Sequence, residues 1–156
     1  MDPQKMPRRV VEAYVGEYAG GKSEVAVNRA IALARGSRVG SRCGGEPADI
    51  PVEKLQRVPV TLVDFDLVEP FYTLRPIKKL IEKEGVTVLA WQTEETMGFG
   101  ETGTLMRSDL RWALRREGHV IFDMGYGIDG ARRLNLIEGA RENNLQVYAV
   151  INIGRP

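Results

Sequence analysis

Short, nearly continuous apolar runs recur along this chain, separated by stretches with helical spacing. Val10–Val15 ends at Gly16, Val60–Val63 at Asp64 and His119–Phe122 at Asp123; Val86–Trp91 and Leu145–Ile153 complete the set. Between them, Lys22–Arg35 suits a helix that Gly36 would end. Pro76 fits a first helical turn, with Ile77, Leu80 and Ile81 following at helical spacing and Gly85 closing the segment. Ser108 can cap a helix carrying Leu110, Ala113 and Leu114, closed by Gly118, and Asp129–Asn143 reads as a further helix. Strands that are apolar throughout are buried on both faces, which a parallel sheet between helix layers provides. The pattern therefore predicts a three-layer α/β fold with about five mostly parallel strands and right-handed crossovers. Ligands in such sheets bind at the carboxyl ends of the strands, where Gly16, Asp64, Asp66 and Asp123 fall.

Two stretches do not share this pattern. Residues 37–59 and 92–107 are Gly-containing, lack a clear period and read as irregular loops within a single domain spanning 1–156. A chain of 156 residues with 43% apolar content can build one core. The 22 Lys and Arg nearly balance the 21 Asp and Glu, which gives no general reason to invoke nucleic acid or an anionic membrane as partner. Cys43 is the single cysteine, so no internal disulfide can form. The first nine residues are polar and basic with no apolar segment behind them, and no apolar run approaches a membrane span. A cytoplasmic protein is expected.

The most specific motif is Gly16-Glu17-Tyr18-Ala19-Gly20-Gly21-Lys22-Ser23, which satisfies G-x-x-x-x-G-K-[ST] in full. Phosphate binding needs several main-chain N–H groups converging on one anion. Glycines permit the turn that brings them together, and the following helix points its positive end at the ligand. Lys22 would reach the β- and γ-phosphates, and the Ser23 hydroxyl would ligate Mg²⁺. A strand before the motif and a helix after it set this match apart from a chance glycine-rich turn. Asp123, at the end of an apolar strand, is the candidate Mg²⁺-organising acid, with a capping or turn role as the competing reading. Gly125 follows, where a small residue lets the backbone approach the γ-phosphate. Asp64 and Asp66 alternate with Phe65 and so share one side of an extended strand. Asp66 is assigned to orienting an attacking water or helping to hold Mg²⁺; a solvated turn is the alternative.

Together, Gly16–Ser23, Val60-Thr61-Leu62-Val63-Asp64-Phe65-Asp66 and Val120-Ile121-Phe122-Asp123-Met124-Gly125 resemble the MinD/ParA/CobQ-like group of P-loop ATPases. The segment from Asp64 to Tyr72, the Asp129-Gly130-Ala131-Arg132 turn and Asn152-Ile153-Gly154-Arg155-Pro156 are similar to a poorly characterised bacterial branch of that group. The resemblance implies a P-loop nucleotide-hydrolase fold, ATP and Mg²⁺. It places Asp66 at the water-activating position and Asp123 at the Walker B position. It also implies a nucleotide-driven switch that dimerises, or alternatively an amidoligase or synthetase. Three departures qualify this. Residues 37–59 are longer than the short turn expected before the second strand. Group members carry a lysine after the first glycine that reaches the partner's phosphates across a dimer; here Glu17 stands there, which puts the homodimer in question. Group members also continue beyond the point where this sequence stops, to strands that include an adenine-reading asparagine, so the domain is expected to be incomplete at its C-terminus. Asn152 comes too early to be that asparagine.

The functional expectation is a Mg-ATP-binding ATPase acting as a nucleotide-dependent switch. The alternatives are a small-molecule phosphotransferase or amidoligase-type synthetase, and a phosphate-binding scaffold without turnover. The Gly98–Gly103 G-x-G-x-x-G pattern is set aside because it neither follows a strand directly nor opens a helix. His119, the only histidine, has no second ligand nearby in the pattern. Arg75, Arg132 and Arg155 are read as solvated surface arginines that could otherwise meet phosphate or a partner, and Trp91 and Trp112 as packing residues.

Overall fold

The computed structural model of the chain describes residues 9–36, 58–66, 74–91 and 107–154. Cys43, the Gly98–Gly103 pattern, Arg155 and nearly all of the two segments read as loops lie outside the described residues. In chain order the elements are β1 (Val11–Gly16), α1 (Lys22–Ala34), β2 (Val60–Phe65), α2 (Lys78–Lys83), β3 (Val86–Leu89), α3 (Ser108–Arg111), β4 (His119–Met124), α4 (Gly127–Arg132) and β5 (Gln146–Val150). Short 3₁₀ turns, Ala113–Arg115 and Arg133–Leu136, follow α3 and α4.

The strands form one sheet in the order β3-β2-β4-β1-β5, with every neighbouring pair parallel. The connections β1 to β2 and β2 to β3 both move toward the β3 edge, and their helices, α1 and α2, cover one face through Ala26, Ala30 and Ile81. The connections β3 to β4 and β4 to β5 move the other way, and Leu110, Ala113, Leu114 and Ile137 cover the opposite face. A right-handed crossover requires this sorting, because reversing the direction of travel reverses the face on which the connection packs. The result is three layers. Alternate residues of each strand feed the two cores: Val60, Leu62 and Ile121 face α1, while Phe65 and Phe122 face the other layer and meet edge to face at 5.8 Å.

Three expectations need correction. Residues 129–143 are not one helix. The chain leaves α-geometry after Arg132 so that Ile137 can be buried, and the left-handed Gly139 (φ 80) and Asn144 (φ 53) turn it back toward β5. Ser108 begins α3 instead of capping it; Arg107 takes the cap position in extended geometry, with its guanidinium bonded to Asp109 and to the Ala90 carbonyl. Finally, β5 is not a buried strand: Gln146 to Ala149 are exposed, because it is the sheet's edge and among the described residues no helix covers it. Among the described residues no helix is long and apolar enough to cross a membrane.

Candidate functional site

The topology fixes where a ligand crevice must open. From β4 the chain leaves toward one face of the sheet, and from its two neighbours, β1 and β2, it leaves toward the other. The carboxyl end of β4 therefore lies at a topological switch point on both sides. The segments that meet there are the Gly16–Ser23 loop after β1, Asp66 after β2, and Gly125 to Gly127 after β4.

The loop is built by residues in uncommon backbone regions. Gly16 has φ 154, and a Cβ there would strike the Val150 carbonyl of β5. Ala19 takes a left-handed φ of 51 and Gly21 a φ of 91 at the cap position of α1. The left-handed alanine was not foreseen from the sequence. The loop is drawn tight by a hydrogen bond from Gly20 N–H to the Glu17 carbonyl at 3.1 Å. The amides of Tyr18, Ala19, Gly21, Lys22 and Ser23 donate to no backbone carbonyl among the described residues, and they cluster at the start of α1. A row of uncommitted amides at the positive end of a 13-residue helix is a chemical match for an anion.

Lys22 is buried, and its ammonium donates to the Glu17 carbonyl at 2.9 Å. Glu17 itself is exposed, and its carboxylate lies toward Gly127. Tyr18, at 59% exposure, packs edge-on against Tyr126 with ring centres 5.5 Å apart, which ties the loop to the segment after β4.

On the face covered by α1, the parallel register sets Tyr14, Asp123 and Asp64 side by side. Asp64 and Asp66 share that face, as the alternation around Phe65 predicts. Asp123 is 1% exposed, and neither of its carboxylate oxygens has a hydrogen-bond partner. Its pKa is pushed up to about 7, chiefly by burial; the neighbouring Ser23 hydroxyl and the Lys22 ammonium pull it down, and Asp66 adds to the rise. Burial, and then Asp123, likewise hold the Asp64 carboxyl well above the usual range, against the pull of Arg75. The Asp66 N–H donates to Asp64 Oδ1 at 3.2 Å.

Gly125 is held between two neighbours. A Cβ on it would lie 3.2 Å from Asp66 Oδ1, and Gly130 of α4 packs directly onto its carbonyl. This contact brings Asp66, Gly125 and α4 together, and no spacing in the sequence announces it.

The remaining candidates separate clearly. Arg75 is not a solvated arginine: its side chain is 3% exposed and its Nε is 3.9 Å from Asp64 Oδ2. Arg132 is exposed and paired with Asp129. His119 is buried at the amino end of β4, where its Nδ1 accepts the Val10 N–H, remote from the crevice. Asn152 closes a local turn by accepting the Gly154 N–H. Trp91 is half-buried, and Trp112 is 41% exposed and donates to Glu138.

Among the described residues no group of three or more His, Cys, Asp or Glu side chains could hold a metal ion. A cation at Asp123 would therefore take other ligands from Ser23, water or a bound phosphate, the usual mode for Mg²⁺. Comparison with models of known protein families and with curated proteins finds no match.

The unfolded-state Asp123 ionises near its ordinary value of 3.8, whereas the folded one does so at about 7. Stability is therefore lost as pH rises through that interval, and the penalty is complete above it. Asp123→Asn removes the charge, so the variant should melt several degrees above the parent at pH 8, with the difference fading toward pH 4. Thermal denaturation in the presence of a chelator reads this directly.

Proposed function

We propose that this chain binds Mg-ATP in the Gly16–Ser23 cradle and works as a slow ATPase of P-loop type whose nucleotide state alters a partner surface. The observation that carries this reading is the meeting, at the β4 switch point, of a ring of uncommitted amides with a buried, unpartnered Asp123 carboxylate beside Lys22 and Ser23. A parallel sheet with the loop after its first strand puts that loop at the carboxyl ends of the strands, where ligands of open α/β sheets bind, and so supports this reading.

The amides of the loop would wrap the phosphate oxygens, and Lys22 would leave the Glu17 carbonyl to join them as a point charge. Magnesium fits the donors present: Ser23 and Asp123 would hold it, directly or through water, and it would neutralise charge on the β- and γ-oxygens. Asp66, whose Oδ1 lies beside Gly125, would orient the attacking water through its carboxylate. The contact of Gly130 with Gly125 gives α4 a means of responding to that phosphate.

Equilibrium titration with ATP and GTP, followed by turnover with and without Mg²⁺, tests the reading. Asp66→Ala should lower turnover by at least about tenfold while changing nucleotide affinity by less than about threefold. Undiminished turnover would remove Asp66 from the mechanism.

A further inference from the structure

Asp64 and Asp123 occupy partnered positions on neighbouring parallel strands and project to the same face. Both are almost closed to water, at 2% and 1% exposure. Two carboxylates so placed attract a divalent cation from solution unless a positive charge offsets them.

The chain supplies that charge twice, in two different ways. Beside Asp123 it is Lys22, which sits on the loop, donates to a main-chain carbonyl and is exchangeable when phosphate arrives. Beside Asp64 it is Arg75, buried, with its Nε 3.9 Å from Asp64 Oδ2. The turn that carries Arg75 is pinned by Leu74, which is fully buried in the core under α1 and α2. Arg75 is thus a fixed counter-charge where Lys22 is a removable one. A guanidinium also cannot lose its proton, so this charge is present at every pH of interest.

We infer that Arg75 is a positioning residue: by occupying Asp64 it keeps the two-carboxylate pair from capturing a bare divalent ion, and reserves Asp123 for the cation that arrives with the nucleotide. The inference rests on the role proposed above for Asp123. It also gives Asp64 a purpose distinct from that of Asp66.

The test uses Mn²⁺ alone, followed by paramagnetic resonance at pH 8, on the whole chain. Arg75→Met should bind Mn²⁺ at least about tenfold more tightly than the parent, because a cation has been removed from an acid pair. Arg75→Lys should behave as the parent does. Asp64→Asn combined with Arg75→Met should return the affinity to the parental level. A merely structural role for Arg75 would loosen metal binding, not tighten it. If folded Arg75→Met binds Mn²⁺ no more tightly than the parent, or if the double variant binds as tightly as Arg75→Met, the inference is overturned.

Should Arg75→Met not fold, Asp64→Asn alone carries the test. It removes the carboxylate that Arg75 faces, on the strand next to Asp123, and should weaken Mn²⁺ binding in the presence of ADP by about tenfold. Unchanged binding would overturn the inference. The comparison with Mn²⁺ alone is independent of ATP, so a parent protein that binds no Mg-ATP would sink the functional reading separately.

Discussion

Lys22→Ala should lose ATP binding almost completely, with the dissociation constant rising by about 100-fold or more. The prediction is specific because the substitution costs the ligand-free fold little. The ammonium's hydrogen bond in the structure is to the Glu17 carbonyl, and that carbonyl keeps the Gly20 N–H when the lysine is gone. Asp123 loses no hydrogen bond, since its carboxylate oxygens already lack partners. What disappears is the cation that would meet the β- and γ-phosphates, together with the charge that offsets Asp123. Calorimetric titration should therefore show the loss while the melting temperature of the ligand-free protein stays within a few degrees of the parent. A variant that binds ATP normally would show that the phosphates do not lie in this loop.

Gly130→Ala should be strongly damaging for a change of a single methyl group. A Cβ at this position falls on the backbone of Gly125, at the carbonyl, where neither side can yield by rotating a side chain. Gly125 is itself crowded, with Asp66 Oδ1 3.2 Å from where its own Cβ would stand. Either α4 lifts away or the chain after β4 shifts, and overpacking of this kind costs on the order of 1–3 kcal/mol. The melting temperature should fall by several degrees, and nucleotide turnover should fall further than stability alone explains, since Asp66 would be displaced with Gly125. Unchanged melting and turnover would show that the Gly125–Gly130 contact is not tight. The same measurements on Gly127→Ala make a useful contrast, for there the added methyl would meet only the Glu17 carboxylate, at 4.0 Å, but must adopt a φ of 65.

Much of the site is legible in the sequence because its parts are local. The loop from Gly16 to Ser23 declares itself by residue type and spacing; Asp64 and Asp123 each follow an apolar run and are the penultimate residues of their strands, and Asp66 comes just after β2. The five strands are also local signals. What the sequence does not show depends on strand order. Nothing in it sets β4 between β1 and β2, and only that order aligns Asp64 with Asp123 and makes β4 a double switch point. Arg75 reads as an ordinary surface residue until the turn before α2 is packed against the sheet, because its partner comes from a different element. Gly130 looks like part of a helix start; its role comes from a contact with another backbone. The long helix expected after Asp129 fails for a related reason: the need to bury Ile137 and return to an edge strand overrides a run of residues with good helical character. Edge status likewise exposes β5, whose composition alone reads as buried.

The central claim is that the main-chain amides of one loop receive a nucleotide's phosphates. Two-dimensional ¹H–¹⁵N spectra recorded while Mg-ATP is added test it residue by residue. The largest early shifts should fall on the amides of Gly16 to Ser23, followed by those of Asp66 and Gly125, and inorganic phosphate at higher concentration should move a subset of the same loop signals. Shifts confined to other parts of the sheet, or none at saturating nucleotide, would contradict the account.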